Sequence, residues 1–337
     1  MISYRCFHNS DPPQIAALWE SSGLGQGAAS GVTVDAFEFF VFAQSFFDKN
    51  GLIVAVEDNQ IVGFVHATRA VNEEQTGLSD TSGSIVALLV HPDSRNAGIG
   101  SELLKRGVGY LAALGVGSVE LGPTEVTNGF YVGLYGGSEP CGFRDSDGPF
   151  AEFFGKRGWE PAKTYLSYQK DLAAGSRDPV NVKLITNRRK TQLEPSDPKN
   201  DASWWWMTRF GRMDCVKFSL LEKSSREPLA SCKIFGLDSF IPKWGQRAAG
   251  LGQVCVSDEH SEKAYDLSLL LEMSKYLREQ LITLIDACVD EAAAGEIKLL
   301  ESAGFKQCDR GTVFRMSEEA QAAYAQQVQQ SADGPAA

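Results

Sequence analysis

The sequence is poor in the residues and patterns that define several large functional classes. It has four histidines in 337 residues, none at metal-ligand spacing from another, so no metal site is expected. Its seven cysteines (Cys6, Cys141, Cys215, Cys232, Cys255, Cys288 and Cys308) are scattered singly. An odd count without a C-x-x-C pair points to reduced thiols rather than a disulfide framework or a zinc site. No apolar run reaches the roughly 18 residues of a membrane span. Met1 to Glu20 carries Arg5, Asp11 and Glu20 and lacks the apolar block of a secretory leader. A basic run is missing too: 32 Lys and Arg against 43 Asp and Glu leave a net charge of −11, which disfavours a phosphate-backbone partner. The expected setting is the cytoplasm, with no nucleic acid and no membrane.

What is present is an ordinary globular composition, with 43% hydrophobic and 22% charged residues. The length allows about two domains. The first part reads as mixed α/β. Ile2–Phe7 has the pattern of a strand, and Asp11–Glu20 that of a helix opened by Asp-Pro-Pro. Gly23–Gly31 reads as a loop, and Val34–Phe47 as a phenylalanine-rich helix or helix pair. Leu52–Glu57 and Ile61–Arg69 form a hairpin around Asp58-Asn59-Gln60. Ser84–Val90 is an apolar run suited to a strand buried on both faces, and Ile99–Leu114 has helical spacing. Val116–Leu121, Pro149–Arg157 and Ala162–Lys170 complete a strand, a helix and a strand.

After a polar stretch from Asp171 to Asp178 the same order recurs more weakly, which predicts two copies of one unit about 165 residues apart. The expected division is residues 1–171, residues 179–317, and an Ala- and Gln-rich tail over 318–337, a frayed helix that gives way to disorder.

The sharpest local signal is Val90-His91-Pro92-Asp93-Ser94-Arg95-Asn96-Ala97-Gly98-Ile99-Gly100-Ser101. A buried strand ends, a glycine-bearing turn follows and a helix begins. Such a helix start presents free backbone N–H groups to an anion such as a pyrophosphate. Gly98 and Gly100 permit close approach and Arg95 adds positive charge. The competing reading is a plain strand-to-helix turn. The segment is neither a Walker loop nor a full Gly-x-Gly-x-x-Gly fingerprint.

Arg95-x-x-Gly98-x-Gly100 after an apolar strand resembles the acetyl-CoA signature of the GNAT acyltransferases. Pro149–Arg157 followed by Gly158-Trp159 is similar to that family's second conserved element, which usually ends in Gly-Phe. The resemblance covers roughly residues 1–171 and implies transfer of an acetyl group from acetyl-CoA to an amine, without a covalent enzyme intermediate. It implies that Leu88, Leu89 and Val90 pair with the pantetheine as an added strand. Arg95, Asn96, Ala97, Gly98, Ile99, Gly100 and Ser101 would hold the pyrophosphate.

Direct transfer needs a base for the amine and an acid for the leaving thiolate. Glu120 is the first candidate base, directly or through water, with Glu125 second; either also fits a solvated glutamate. The family's usual tyrosine falls on Phe154, which cannot donate a proton. The long loop upstream, Asn128 to Arg144, holds two tyrosines in an otherwise glycine-rich stretch, and Tyr135 lies seven residues beyond Asn128, a spacing like the family's own. Tyr135 is therefore the candidate acid and Tyr131 the second, with packing as the alternative for both. Cys141 has no paired histidine in sequence and is not expected to be a nucleophile.

Core packing is the expected use of the phenylalanine-rich segment, and lining of an acceptor pocket the alternative. In the second copy, Gln253–Val256 matches the buried strand, but Ser257-Asp258-Glu259-His260-Ser261-Glu262 has neither the glycines nor the arginine, and its carboxylates repel a pyrophosphate. Leu299–Phe305 still resembles the second conserved element. The second half is therefore expected to be a degenerate GNAT-like domain, in an architecture resembling mycothiol synthase, whose substrate is not carried over. At least one of Trp204, Trp205 and Trp206 is expected to meet an interface, a ligand or a partner, since three neighbours cannot share one core face. The alternative for the whole chain is a non-catalytic acyl-CoA-binding protein, regulatory or scaffolding.

Overall fold

The computed structural model describes residues 1–127, 129–173, 179, 181–256 and 263–333. Asn128, part of the expected boundary (174–178), the loop 257–262 and the last four residues lie outside them.

The first half runs β1 (Ser3–Cys6), α1 (Pro12–Ser21), α2 (Val34–Phe37), β2 (Leu52–Glu57), β3 (Gln60–Val71), β4 (Leu78–Val90), α3 (Ile99–Ala113), β5 (Ser118–Leu121), β6 (Phe143–Arg144), α4 (Phe150–Gly155) and β7 (Trp159–Asp171). The second half runs α5 (Val182–Lys190), β8 (Thr191–Ser196), α6 (Trp204–Phe210), β9 (Cys215–Glu222), β10 (Pro228–Gly236), α7 (Ile241–Trp244), β11 (Ala248–Val256), α8 (Tyr265–Glu279), β12 (Leu284–Asp290), α9 (Ala294–Ser302), β13 (Lys306–Met316) and α10 (Glu318–Asp333). No helix among the described residues is long and apolar enough to cross a membrane.

Local chemistry explains several joints. Asp58 and Asn59 both take positive φ (48° and 63°), which lets the β2–β3 hairpin close with the right-handed twist of its strands. β4 and β5 are parallel and joined through α3, as β11 and β12 are through α8, so the crossover unit occurs twice. The phenylalanine-rich segment continues α2 as one π-helical turn, Glu38–Phe42, in which Ala43 N–H donates to the Glu38 carbonyl. Wide turns splay the rings: Phe37 and Phe42 stack inward, and Phe39 stays 42% exposed.

The strands make one sheet in the order β1-β2-β3-β4-β5-β13-β7-β12-β11-β10-β9-β8, with β6 on β13. The final strands are exchanged. β13 of the second half pairs with β5 through Phe314 opposite Leu121, and β7 of the first half pairs with β12 from Leu284 opposite Asp171 to Asp290 opposite Tyr165. Each half thus completes the other's sheet. One apolar cluster lies under α3 and a second under α8. A third gathers α1, Phe37, Val41 and the 130–135 segment with Phe235, Phe240 and Leu284 of the second half.

One expectation is refined and one needs correction. The helix expected to open the C-terminal segment spans Glu318–Asp333, where Tyr324 is buried and donates to the Val116 carbonyl at 2.7 Å. Cys141 and Cys288 are joined through their sulfurs, whereas reduced thiols were expected. They stand 147 residues apart and no local spacing announces them; the strand exchange brings β12 beneath the loop that holds Cys141.

Candidate active site

β4 and β5 pair only as far as Ile85 opposite Leu121. There the chain turns away at Gly122 (φ 111°), where a β-carbon would sit 2.9 Å from the Gly142 α-carbon. Val86 to Val90 therefore run on with β3 on one side and, among the described residues, no strand on the other. An edge of this kind offers backbone groups to an extended ligand.

A narrow cavity of about 30 Å³ follows this edge. Val86, Ala87, Leu88 and Leu89 form one wall; Trp19, Leu24, Tyr131 and Tyr135 form another; Phe143, Asp147 and Phe150 complete it. Sequence reasoning brings four of these residues forward (Leu88, Leu89, Tyr131 and Tyr135), and the fold assembles them in one place.

The two tyrosines have different neighbours. Tyr135 donates to Asp147 Oδ2 at 2.6 Å and accepts from the Arg144 backbone N–H at 3.1 Å. Burial, then the Asp147 charge, pushes its pKa well above the ordinary value, so it keeps its proton. Tyr131 is hydrogen-bonded to His66 Nδ1 at 3.0 Å, and burial depresses the His66 pKa to about 3, leaving a neutral imidazole. Trp19 stacks on Tyr131 and meets Tyr135 edge-on. An isolated bridge between Ala28 and Tyr135 ties the glycine-rich loop to the same place.

Asp147 is the site residue that sequence reasoning missed. Its Oδ1 accepts from Gly25 N–H at 2.6 Å and its Oδ2 from Tyr135. Burial raises its pKa, against the opposing pull of the Tyr135 and Gly25 bonds and the Arg144 charge. The only local signal is the turn Asp145-Ser146-Asp147-Gly148, which reads as a surface loop.

Beyond Val90 the chain makes a 3-10 turn, Pro92–Ser94, then passes through Asn96 (φ 63°) and Gly98 (φ 82°) into α3. Gly98 caps the helix without a side-chain bond, so the first-turn N–H groups of α3 are free of a cap. The exposed Arg95 folds back, donating to the carbonyls of Ser22 at 2.7 Å and Val90 at 3.1 Å. A second cation, Arg157 at the end of α4, donates to Ser101 Oγ at 3.0 Å and lies over the Phe153 ring. A β-carbon on Gly100 would lie 3.2 Å from Phe153 Cζ.

Glu120 does not line the cavity. It stands opposite Ser84 on β4 and Arg315 on β13, half-buried, its pKa raised by burial against the pull of Lys163. Lys163 itself pairs with Asp290 at 2.9 Å. Glu125 is exposed and lends its carbonyl to Trp205 Nε1 at 2.7 Å. That bond answers the tryptophan question: Trp205 is buried between the halves, while Trp204 stays 38% exposed. Phe154 is fully buried against Phe143, Phe150 and Phe314, so the place where the family carries a tyrosine is a core position here. In the second half, β11 and β12 pair only to Leu251 opposite Ala287, and the loop expected to have lost its phosphate site, 257–262, lies outside the described residues.

Residues 26–143 match the Acetyltransferase (GNAT) family. No curated protein sequence matches the chain. Among solved structures, a GCN5-related N-acetyltransferase from Sphaerobacter thermophilus superposes with a TM-score of 0.60 at 15% identity, over 93% of this chain and 95% of that one. A tandem GNAT protein from the clavulanic acid biosynthesis pathway superposes with a TM-score of 0.62 at 15% identity, over 94% and 98%. N-myristoyltransferase of Saccharomyces cerevisiae superposes at 0.57 and 10% identity, over 94% and 80%. At these identities the likeness is one of fold, and it extends over both halves.

Proposed function

We propose an acyl-CoA-dependent N-acyltransferase that moves an acetyl group from acetyl-CoA to an amine, a reading supported by the match of residues 26–143 to the GNAT acetyltransferase family and by the likeness of fold to a tandem GNAT protein. The observation that carries this reading is the cavity along the unpaired Val86–Leu89 edge, with the Tyr135–Asp147 pair in its wall.

In this reading the edge from Leu88 to Val90 pairs with the pantetheine amides, and one of its N–H groups polarises the thioester carbonyl. The Arg95–Ser101 turn and the α3 start receive the pyrophosphate, and Arg157 adds charge that Arg95 directs elsewhere. The amine nitrogen attacks the carbonyl carbon and the C–S bond breaks. Tyr135 gives its proton to the leaving sulfur and recovers one from Asp147, which takes the proton of the amine. The pair ends as it began. Asp147 lines the cavity and Glu120 does not, which favours Asp147 as the base.

The test is release of free CoA thiol by the purified protein with acetyl-CoA and a panel of amines, aromatic, aliphatic and peptidic. Amine-dependent release supports the reading. Acetyl-CoA binding without turnover against any amine overturns it in favour of a non-catalytic acyl-CoA-binding protein, which the burial of Phe154 would then explain.

A further inference from the structure

The segment between β5 and α4 carries Tyr135 and Asp147, and its described residues contain little regular structure of their own, the two-residue β6 and a short 3-10 turn. Segments of this length inside a compact fold need external anchors. Its anchors from the far half of the chain include the Cys141–Cys288 link and the Trp205–Glu125 bond, and three more bear on the loop around Arg144. On β12, Asp286 Oδ1 accepts from Ser138 N–H at 2.6 Å, while its Oδ2 accepts from Gln169. The approach is close enough that a β-carbon on Gly137 (φ 72°) would run into the Asp286 carboxylate. On β13, Asp309 Oδ2 accepts from Ser146 Oγ at 2.7 Å and lies 3.5 Å from Arg144 Nη1. β13 also pairs its backbone with β6, Gly311 opposite Arg144, and a β-carbon on Gly311 would strike the Cys141 carbonyl.

Arg144 joins these anchors to the chemistry. Its side chain is 3% exposed, and a buried guanidinium needs a counter-charge. It bonds Ser167 and the Gly136 carbonyl and faces Asp309, while its own backbone N–H donates to Tyr135 Oη. Ser146, held by Asp309, immediately precedes Asp147.

We propose that the second half serves the first as a built-in positioning element: Asp286 and Asp309 seat the 122–149 segment so that Tyr135 and Asp147 meet at the β4 edge. The inference rests on the acyltransferase reading for its effect on turnover, but not for its effect on Tyr135 geometry. Asp286, Asp309 and Arg144 are positioning residues and touch no substrate.

The experiment uses the full chain labelled with 3-fluorotyrosine, the Tyr135 resonance being assigned as the one lost in Tyr135→Phe. Asp309→Asn and Asp286→Asn are compared with wild type and with Asp80→Asn, which removes only an exposed partner of Arg69. The expected result is a shifted or broadened Tyr135 resonance in both variants and about a tenfold or greater fall in kcat, with acetyl-CoA affinity within about twofold. Asp309→Glu should restore part of both. Should the buried-charge variants fail to fold, Ser146→Ala removes one exposed anchor and should move the same resonance. An unmoved Tyr135 resonance in the variants that fold overturns the proposal, whether or not the wild type turns over. A moved resonance in a protein without transferase activity leaves the positioning intact and removes the reading of function.

Discussion

Tyr135 donates its phenolic hydrogen to Asp147 at 2.6 Å, and both side chains face a cavity that follows the free edge of β4. The pair is held from three directions: Gly25 N–H on Asp147, Arg144 N–H on Tyr135, and Trp19 edge-on to the ring. A raised phenol beside a raised carboxyl suits exchange of one proton between them.

Removing the hydroxyl separates acid catalysis from binding. Tyr135→Phe should lower kcat about 10²-fold or more, the range for loss of a general acid, with acetyl-CoA affinity within about threefold. Steady-state kinetics together with a binding titration check this. A comparable loss in Tyr131→Phe and none in Tyr135→Phe would exchange their roles.

The proton acceptor is identified by pH dependence. Asp147 must be ionised to take a proton, and burial first, offset in part by its hydrogen bonds, places its pKa above the ordinary carboxylate value. Activity should therefore rise through an acidic limb lying above that value. His66, depressed to about 3, contributes no limb near neutrality. Asp147→Asn should flatten the limb and cut kcat about a hundredfold, whereas Glu120→Gln should keep the limb in place. The reverse result would return the base to Glu120.

At the helix start, Gly100→Asp adds a carboxylate where, in the proposed reading, the α3 N–H groups meet the pyrophosphate, and sets a β-carbon 3.2 Å from Phe153 Cζ. The dissociation constant for acetyl-CoA should rise about tenfold or more. Arg157→Ala should weaken binding in the same direction, and Arg95→Ala less, since Arg95 is engaged with Ser22 and Val90. Unchanged affinity in Gly100→Asp would remove the cofactor from this turn.

Thiol counting checks the link between loop and β12. The denatured, unreduced protein should show five reactive thiols, those of Cys6, Cys215, Cys232, Cys255 and Cys308, and two more after reduction. Seven from the start would restore the reading of wholly reduced cysteines.

Much of the local order is legible because it rests on short-range chemistry. The 52–57 and 61–69 hairpin, the apolar run before Arg95 and the two crossover helices all follow from period, turn residues and glycine placement. The strand exchange is not legible: β13 and β7 would satisfy their own halves by pattern equally well, and pairing across halves leaves no local mark. The same physics hides Asp147, Asp286 and Asp309. By pattern each is an ordinary polar residue, and its partner comes from a distant segment: Gly25 for Asp147, Ser138 for Asp286 and Ser146 for Asp309. The cost of ordering a long glycine-rich loop draws attention to both of its tyrosines, and only the spacing from Asn128, which resembles the GNAT family's, puts Tyr135 ahead of Tyr131.

The central claim, an acyl-CoA site in the first half alone, is tested most directly by calorimetric titration of the purified chain with acetyl-CoA. The account predicts saturable binding at one site per chain, weakened by Gly100→Asp. Two sites per chain would contradict the reading of the second half, and the absence of binding would contradict the account as a whole.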